Sequence, residues 1–205
     1  MSGSSPLFSG GMMNRQVVAA IAAALLVVVA NVAAAAEDTY TIDPVHSQPI
    51  FEVRHMGYSL QRGSFTKLSG KITLDPEAKK GSIDVTIDAA SIRTIDPRLD
   101  AHVKGEDFFD VAKYPTITFK SSNLVFDGDR VVGADGDLTL LGVTKPVRLK
   151  VTEVVCGEHP INKRPMCGAE ATADIKRSDW GMKYGIPKVV GDDVRIIIPV
   201  EARKD

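Results

Sequence analysis

Histidines, a few paired acids and two cysteines are the side chains of this sequence that could do chemistry. His46 follows Pro44, while Asp100 and His102 stand close together in DPRLDAHVKG with Arg98 just before them. An imidazole and a carboxylate within reach of one another can work as base and acid, here on a polar headgroup. Residues two apart on a helix do not face each other, so Asp100 and His102 make a poor local dyad. They would have to converge with His46 in three dimensions. Helix capping and hydrogen-bonded structural histidines account for these residues more simply than ligand contact does. The enzyme signatures H-E-x-x-H and G-x-S-x-G are absent, and Gly70-Lys71 lacks the flanking residues of a phosphate-cradling loop. His46 and His55 have opposite parity if one strand carries both, so they cannot share a metal without a bulge. Asp127, Asp129, Asp135 and Asp137 fail the calcium-loop spacing, and their neighbouring glycines read as turns. No metal site and no enzyme are expected.

Cys156 and Cys167 are the only cysteines. An even pair in an exported chain predicts a disulfide rather than two free thiols, closing the loop CGEHPINKRPMC. No C-x-x-C is present, so the pair is read as structural. Trp180, the single tryptophan, sits in RSDWGM beside Gly181 and reads as a plug at a barrel end.

Export is read from the N-terminus. Arg15 is the only charge before Glu37, Val17 to Ala30 is an uninterrupted apolar run, and Ala34 and Ala36 give an A-x-A pattern. That run is short for a membrane span and suits a signal peptide over residues 1–36, cleaved after Ala36, with a retained anchor as the alternative. The start could be Met1, Met12 or Met13. Residues 37–205 then form one domain, expected to be periplasmic. The formal net charge of −1 leaves no electrostatic footprint for nucleic acid.

The elements that must position these residues are short alternating strands. In DDVRIIIPVEAR, Val194, Ile196, Ile198, Val200 and Ala202 share one face, and Arg195, Ile197, Pro199 and Glu201 the other. Further strands are read from about Tyr40 to Ser59, from Gly63 to Leu74, and over Ser82–Ala89, Thr116–Phe126, Val131–Leu141, Val147–Val155 and Ala169–Lys176. Asp127-Gly128 marks a hairpin, and Thr144-Lys145-Pro146 a corner. One helical patch interrupts them: Pro97 and Asp100 suit its start, Gly105 its end, and Asp107 a further turn holding Phe108 and Phe109. About eight strands at this spacing predict an all-β antiparallel barrel or sandwich.

Taken in order, HSQPIFEVRHMG, GSF with Gly70, DAHVKGEDFFDVAKYPTITF, GDLTLLGVTKPV and IKRSDWGM resemble the YceI-like family of exported lipid-binding proteins. The resemblance runs from YTIDPVHS near Tyr40 to VEAR near Arg203. It implies a lipocalin-like antiparallel barrel around a long isoprenoid chain, such as a polyprenyl phosphate or a ubiquinone-type quinone. Fatty-acid amides are a further ligand class it implies, and a membrane cytochrome of the b type a partner. Many relatives carry Arg directly before the Asp of the helical motif, where Leu99 stands here, and His where Leu141 stands.

An eight-stranded barrel is near the size that holds either packed side chains or one ligand. The expected apolar lining is Phe51, Val53, Phe65, Ile83, Val85, Ile117, Phe119, Leu138, Leu140, Val147, Leu149, Ile196 and Ile198, with Phe108 and Phe109 closing one end. The headgroup candidates are His46, Arg98, Asp100 and His102. The leading reading is a periplasmic carrier or store of an isoprenoid lipid. An enzyme using His46, Asp100 and His102 on a lipid headgroup, and an interaction module with a filled core, are the competing ones. Edge strands and an outward Ile197 leave room for a homodimer.

Overall fold

The computed structural model describes residues 37–205, so the leader expected over residues 1–36 lies outside the described residues. Eleven strands occur among these residues, and eight of them close a ring. In chain order the ring strands are β1 (Asp38–Ile42), β4 (Leu68–Asp75), β5 (Lys80–Asp88), β7 (Thr116–Asp127), β8 (Arg130–Leu140), β9 (Val143–Glu158), β10 (Pro165–Lys176) and β11 (Val190–Lys204). β2 (Ile50–His55), β3 (Ser59–Phe65) and the two-residue β6 (Ile92–Arg93) complete the set. Around the ring the order is β1-β4-β5-β7-β8-β9-β10-β11, and β11 returns to β1. All pairings are antiparallel. Closure removes the long exposed edges that a sheet of such alternating strands would otherwise present.

The seam explains why two expected strands are four. β11 shares one edge between two partners: its end pairs with β1, Ile42 opposite Ala202, and its beginning with β2, Ile50 opposite Ile197 and His55 opposite Val190. The chain must leave β11 between them, and Pro44 to His46 form the turn that does so. Ser47, only 1% exposed, fills the gap in the ladder. Its hydroxyl donates to the Glu201 carbonyl at 3.1 Å and accepts from the Glu201 amide at 2.8 Å. A buried backbone pair left open there would cost a hydrogen bond at each group. His46 and Ser47 therefore lie outside any strand, which breaks the strand expected from about Tyr40 to Ser59. The expected strand from Gly63 to Leu74 is likewise broken at Thr66 and Lys67, where β3 ends and β4 begins.

The β8–β9 hairpin also moves. Leu141 and Gly142 both take positive φ, 50° and 71°, the backbone of a two-residue primed turn. Thr144, Lys145 and Pro146, expected to be a corner, are already inside β9, with Pro146 opposite Asp137. The helix α1 (Pro97–Lys104) begins at Asp96, whose side chain accepts from the Arg98 amide, and stops at Gly105. Residues 106–109 are hydrogen-bonded turns rather than a helical turn capped by Asp107. The Phe108 amide donates to the Gly105 carbonyl and the Phe109 amide to that of Val103.

Candidate functional site

The ring encloses a cavity of about 490 Å³. It is lined by the face of β11 that the alternation singles out: Val194, Ile196, Ile198, Val200 and Ala202. Phe51, Val53, Phe65, Ile83, Val85, Phe108, Phe109, Ile117, Phe119, Leu138, Leu140, Val147 and Leu149 line it as well. Strand period two places these side chains inward once register is fixed by closure.

Small residues keep the space open. Along β10 the inward positions are Cys167, Ala169, Ala171 and Ile175, and Gly168 also borders the cavity. Alanines there leave room that leucines would fill. The list of large inward aliphatics missed them, although the alternation in CGAEATADIK carries the signal. Cys156 and Cys167 sit directly opposite each other on β9 and β10, joined as a disulfide, and both touch the cavity.

One end of the barrel is a packed plug. Phe65, Ile92, Val103, Phe108, Ile117, Trp180 and Met182 form a buried cluster there. Phe65 meets Phe109 edge-on with ring centroids 5.4 Å apart, and Phe51 lies about equally near both. A side chain at Gly63 would collide with the Phe51 ring, so glycine is required at that close approach. The Trp180 indole N–H donates to the Leu138 carbonyl at 3.1 Å, its polar edge satisfied while the ring is buried. Arg177, 3% exposed, ties the loop after Trp180 to the barrel. Its guanidinium donates to the carbonyls of Met182, Tyr184, Val190 and Gly191. Burial lowers its pKa, with nearby Asp192 opposing that effect. Nothing in the local sequence marks Arg177 as buried, because its partners are backbone atoms.

None of the four headgroup candidates lines the cavity. Arg98 is paired with Asp96 at 2.8 Å at the start of α1. Asp100 accepts from both the hydroxyl and the amide of Thr94, and the Thr94 hydroxyl bond holds its pKa below the usual carboxylate value. A carboxyl held ionised in this way has no proton to give as a general acid. His102 packs edge-on against the rings of Phe108 and Tyr184. His46 lies 3.1 Å from Asp43 and 3.8 Å from Glu201. The three expected acid–base residues thus have separate partners, and no hydrogen bond or ion pair among the described residues joins them.

Asp43, His46 and Glu201 bring three ligating atoms within 4.8 Å of one another, a cluster the sequence reading missed. Arg203 also donates to the Asp43 carboxylate, so a guanidinium already supplies the positive charge. The hydrogen bond from the Val45 amide, with those from His46 and Arg203, lowers the Asp43 pKa against the opposing effect of burial. The network fastens the seam turn to β11. Polar residues that border the cavity include Ser47, His55, Gln61, Arg62, Thr94 and Arg177. His55 shares parity with Phe51 and Val53, so its inward placement was readable. Gln61 faces Val53 across the β2–β3 ladder.

The YceI-like domain family matches residues 40–202. Protein YceI of Escherichia coli O157:H7 is 37% identical over 159 residues, covering 76% of this chain and 81% of that protein. Among solved structures, Burkholderia cenocepacia BcnA superposes with a TM-score of 0.65 at 27% identity, over 78% of this chain and 98% of that one. A polyisoprenoid binding domain from Saccharophagus degradans, implicated in plant cell wall breakdown, shares the fold at 20% identity. Its TM-score is 0.61, over 81% of this chain and 98% of that one.

Proposed function

Because this chain belongs to the YceI-like family, we propose that its barrel binds and carries or stores one long-chain isoprenoid lipid. A polyprenyl phosphate and a ubiquinone-type quinone are the two forms considered. The observation that supports this reading is the cavity itself, about 490 Å³ and walled almost throughout by aliphatic and aromatic side chains. Ligand cavities commonly span about 300–1,000 Å³. Each ligand methylene buried contributes about 0.8 kcal/mol, so a dozen or so would exceed the cost of association. The polyisoprenoid binding domain of similar fold supports the same ligand class. The apolar leader supports action after export, in the periplasm, with a membrane cytochrome b as one acceptor considered. A homodimer stays part of the proposal. The role is binding rather than catalysis.

The test is lipid mass spectrometry on residues 37–205 isolated without detergent, read together with native mass. One isoprenoid per chain is the expected result. Repeatedly ligand-free protein that takes up no added isoprenoid would overturn the reading.

A further inference from the structure

At the plugged end the β2–β3 hairpin and the loop 183–190 lie side by side: the Met56 amide donates to the Val189 carbonyl at 2.9 Å, and His55 pairs with Val190. Apolar and aromatic side chains point out of this rim. Tyr58 is 91% exposed, and Met56, Leu60, Tyr184 and Val189 are exposed beside it. The cavity lining reaches the same rim at His55, Gln61 and Arg62.

Charge on these two segments is of one sign. Segment 54–62 carries Arg54 and Arg62, segment 183–190 carries Lys183 and Lys188, and neither contains an acid. Arg62 is paired with Glu52, whereas Arg54, Lys183 and Lys188 form no ion pair among the described residues. Off these two segments the same end carries Glu106, Asp107 and Asp110 in the turns after α1, and Asp179, Asp192 and Asp193 flanking the loop 183–190. The opposite end also exposes Val155 and Ile161, but its loops mix signs, with Glu158 near Lys163 and Arg164 and Glu77 near Lys79. Segments 54–62 and 183–190 thus form a strip of cations without acids, beside acids that lie off the strip.

We infer that this rim docks on an anionic lipid surface, with Tyr58 and Met56 entering the headgroup layer and Arg54, Lys183 and Lys188 held at the phosphates. Aromatic residues favour that boundary, and each cation near it strengthens attachment. The inference builds on the lipid reading of the cavity, whose lining includes His55, Gln61 and Arg62 of the docked rim.

Residues 37–205 form one closed barrel and are used without the leader, whose apolar run would itself enter vesicles. Co-sedimentation compares phosphatidylcholine vesicles with vesicles containing about one-third phosphatidylglycerol. The barrel should bind the anionic vesicles, and Lys183→Gln/Lys188→Gln should bind them about thirtyfold more weakly. Tyr58→Ser should weaken binding without changing the salt dependence. Equal binding to both vesicles, or an unchanged double variant, overturns the inference. So does self-association that Tyr58→Ser abolishes in the absence of vesicle binding, which would mean that a second copy covers the rim. Lipid content of the same samples separates the two readings. Charge-dependent docking by protein that never holds lipid sinks the cavity reading alone, and lipid-loaded protein that ignores vesicles sinks the docking alone.

Discussion

Replacing Ala171 with leucine should fill part of the cavity while leaving the barrel intact. Ala171 lies on β10 between Ile198 of β11 and Val151 of β9, and all three line the open space. Leucine adds three carbons where no protein atom sits, so a lipid must give up about that many buried methylenes. At about 0.8 kcal/mol each the loss is about 2.4 kcal/mol, or about sixtyfold in affinity. Ala134 is the control. It is 0% exposed, faces Leu124 and Leu149 across its two ladders, and does not border the cavity. Leucine there must push packed neighbours aside, at a cost of roughly 1–3 kcal/mol in stability. The assay is farnesol competing with a fluorescent fatty-chain probe on delipidated protein, alongside guanidinium melts. Ala171→Leu should lose affinity and keep its melt, and Ala134→Leu the reverse. Ala171→Leu protein that binds farnesol as before, or that is destabilised as much as Ala134→Leu, would refute the idea that this space is vacant for a ligand.

Neighbouring residues of β11 should differ sharply: Ile196→Ser should weaken farnesol binding, whereas Ile197→Ser on the outer face should leave it unchanged, and equal effects would mean the register is wrong. Removing the bridge with Cys156→Ala/Cys167→Ala should lower stability by roughly 3 kcal/mol in denaturant melts, given a sequence separation of 11. An unchanged midpoint would count against it. Asp43 has a folded pKa below its unfolded value, so its contribution is present at neutral pH and fades as pH falls through the folded value. Asp43→Asn should therefore be about 2 kcal/mol less stable at pH 7, with the gap closing as pH drops below about 4. A gap that persists into strong acid would contradict the assignment.

Strand faces were legible because the lumen of a closed ring reads every second residue, and β11 states that rule in five consecutive inward positions from Val194 to Ala202. What failed was anything decided by a single tertiary contact. Ser47 interrupts the strand expected from Tyr40 to Ser59 because Glu201, far away in sequence, bonds its hydroxyl. Leu141 turns a hairpin with a backbone that leucine seldom adopts, which its side chain does not announce. The headgroup candidates have partners that the sequence did not show, for a related reason. Histidines and acids on a helical patch look available in sequence, yet His102 and Asp100 are occupied by Tyr184, Phe108 and Thr94 from other segments. Arg177 resembles a surface arginine until the chain after Trp180 folds back and offers it four carbonyls.

A barrel kept hollow must find its rigidity away from its axis, and this chain separates the two duties along its length. Large rings are concentrated at one end, where Phe51, Phe65, Phe108, Phe109 and Trp180 pack around Ile92, which is fully buried. Alanine and glycine occupy sites of β10 that border the lumen, where Gly168, Ala169 and Ala171 stand in place of aliphatic chains. Eight strands with leucine at those sites would close on a filled core, since that ring is only just wide enough for side chains. The stability forgone in the lumen is recovered by the plug, by the disulfide tying β9 to β10, and by the Asp43–Arg203 pair that fastens β11 at the seam. Enlarging one alanine tests the lumen, and cutting one fastening tests the wall. The two should prove separable, because the residues that hold this barrel closed are largely distinct from those that keep its centre open.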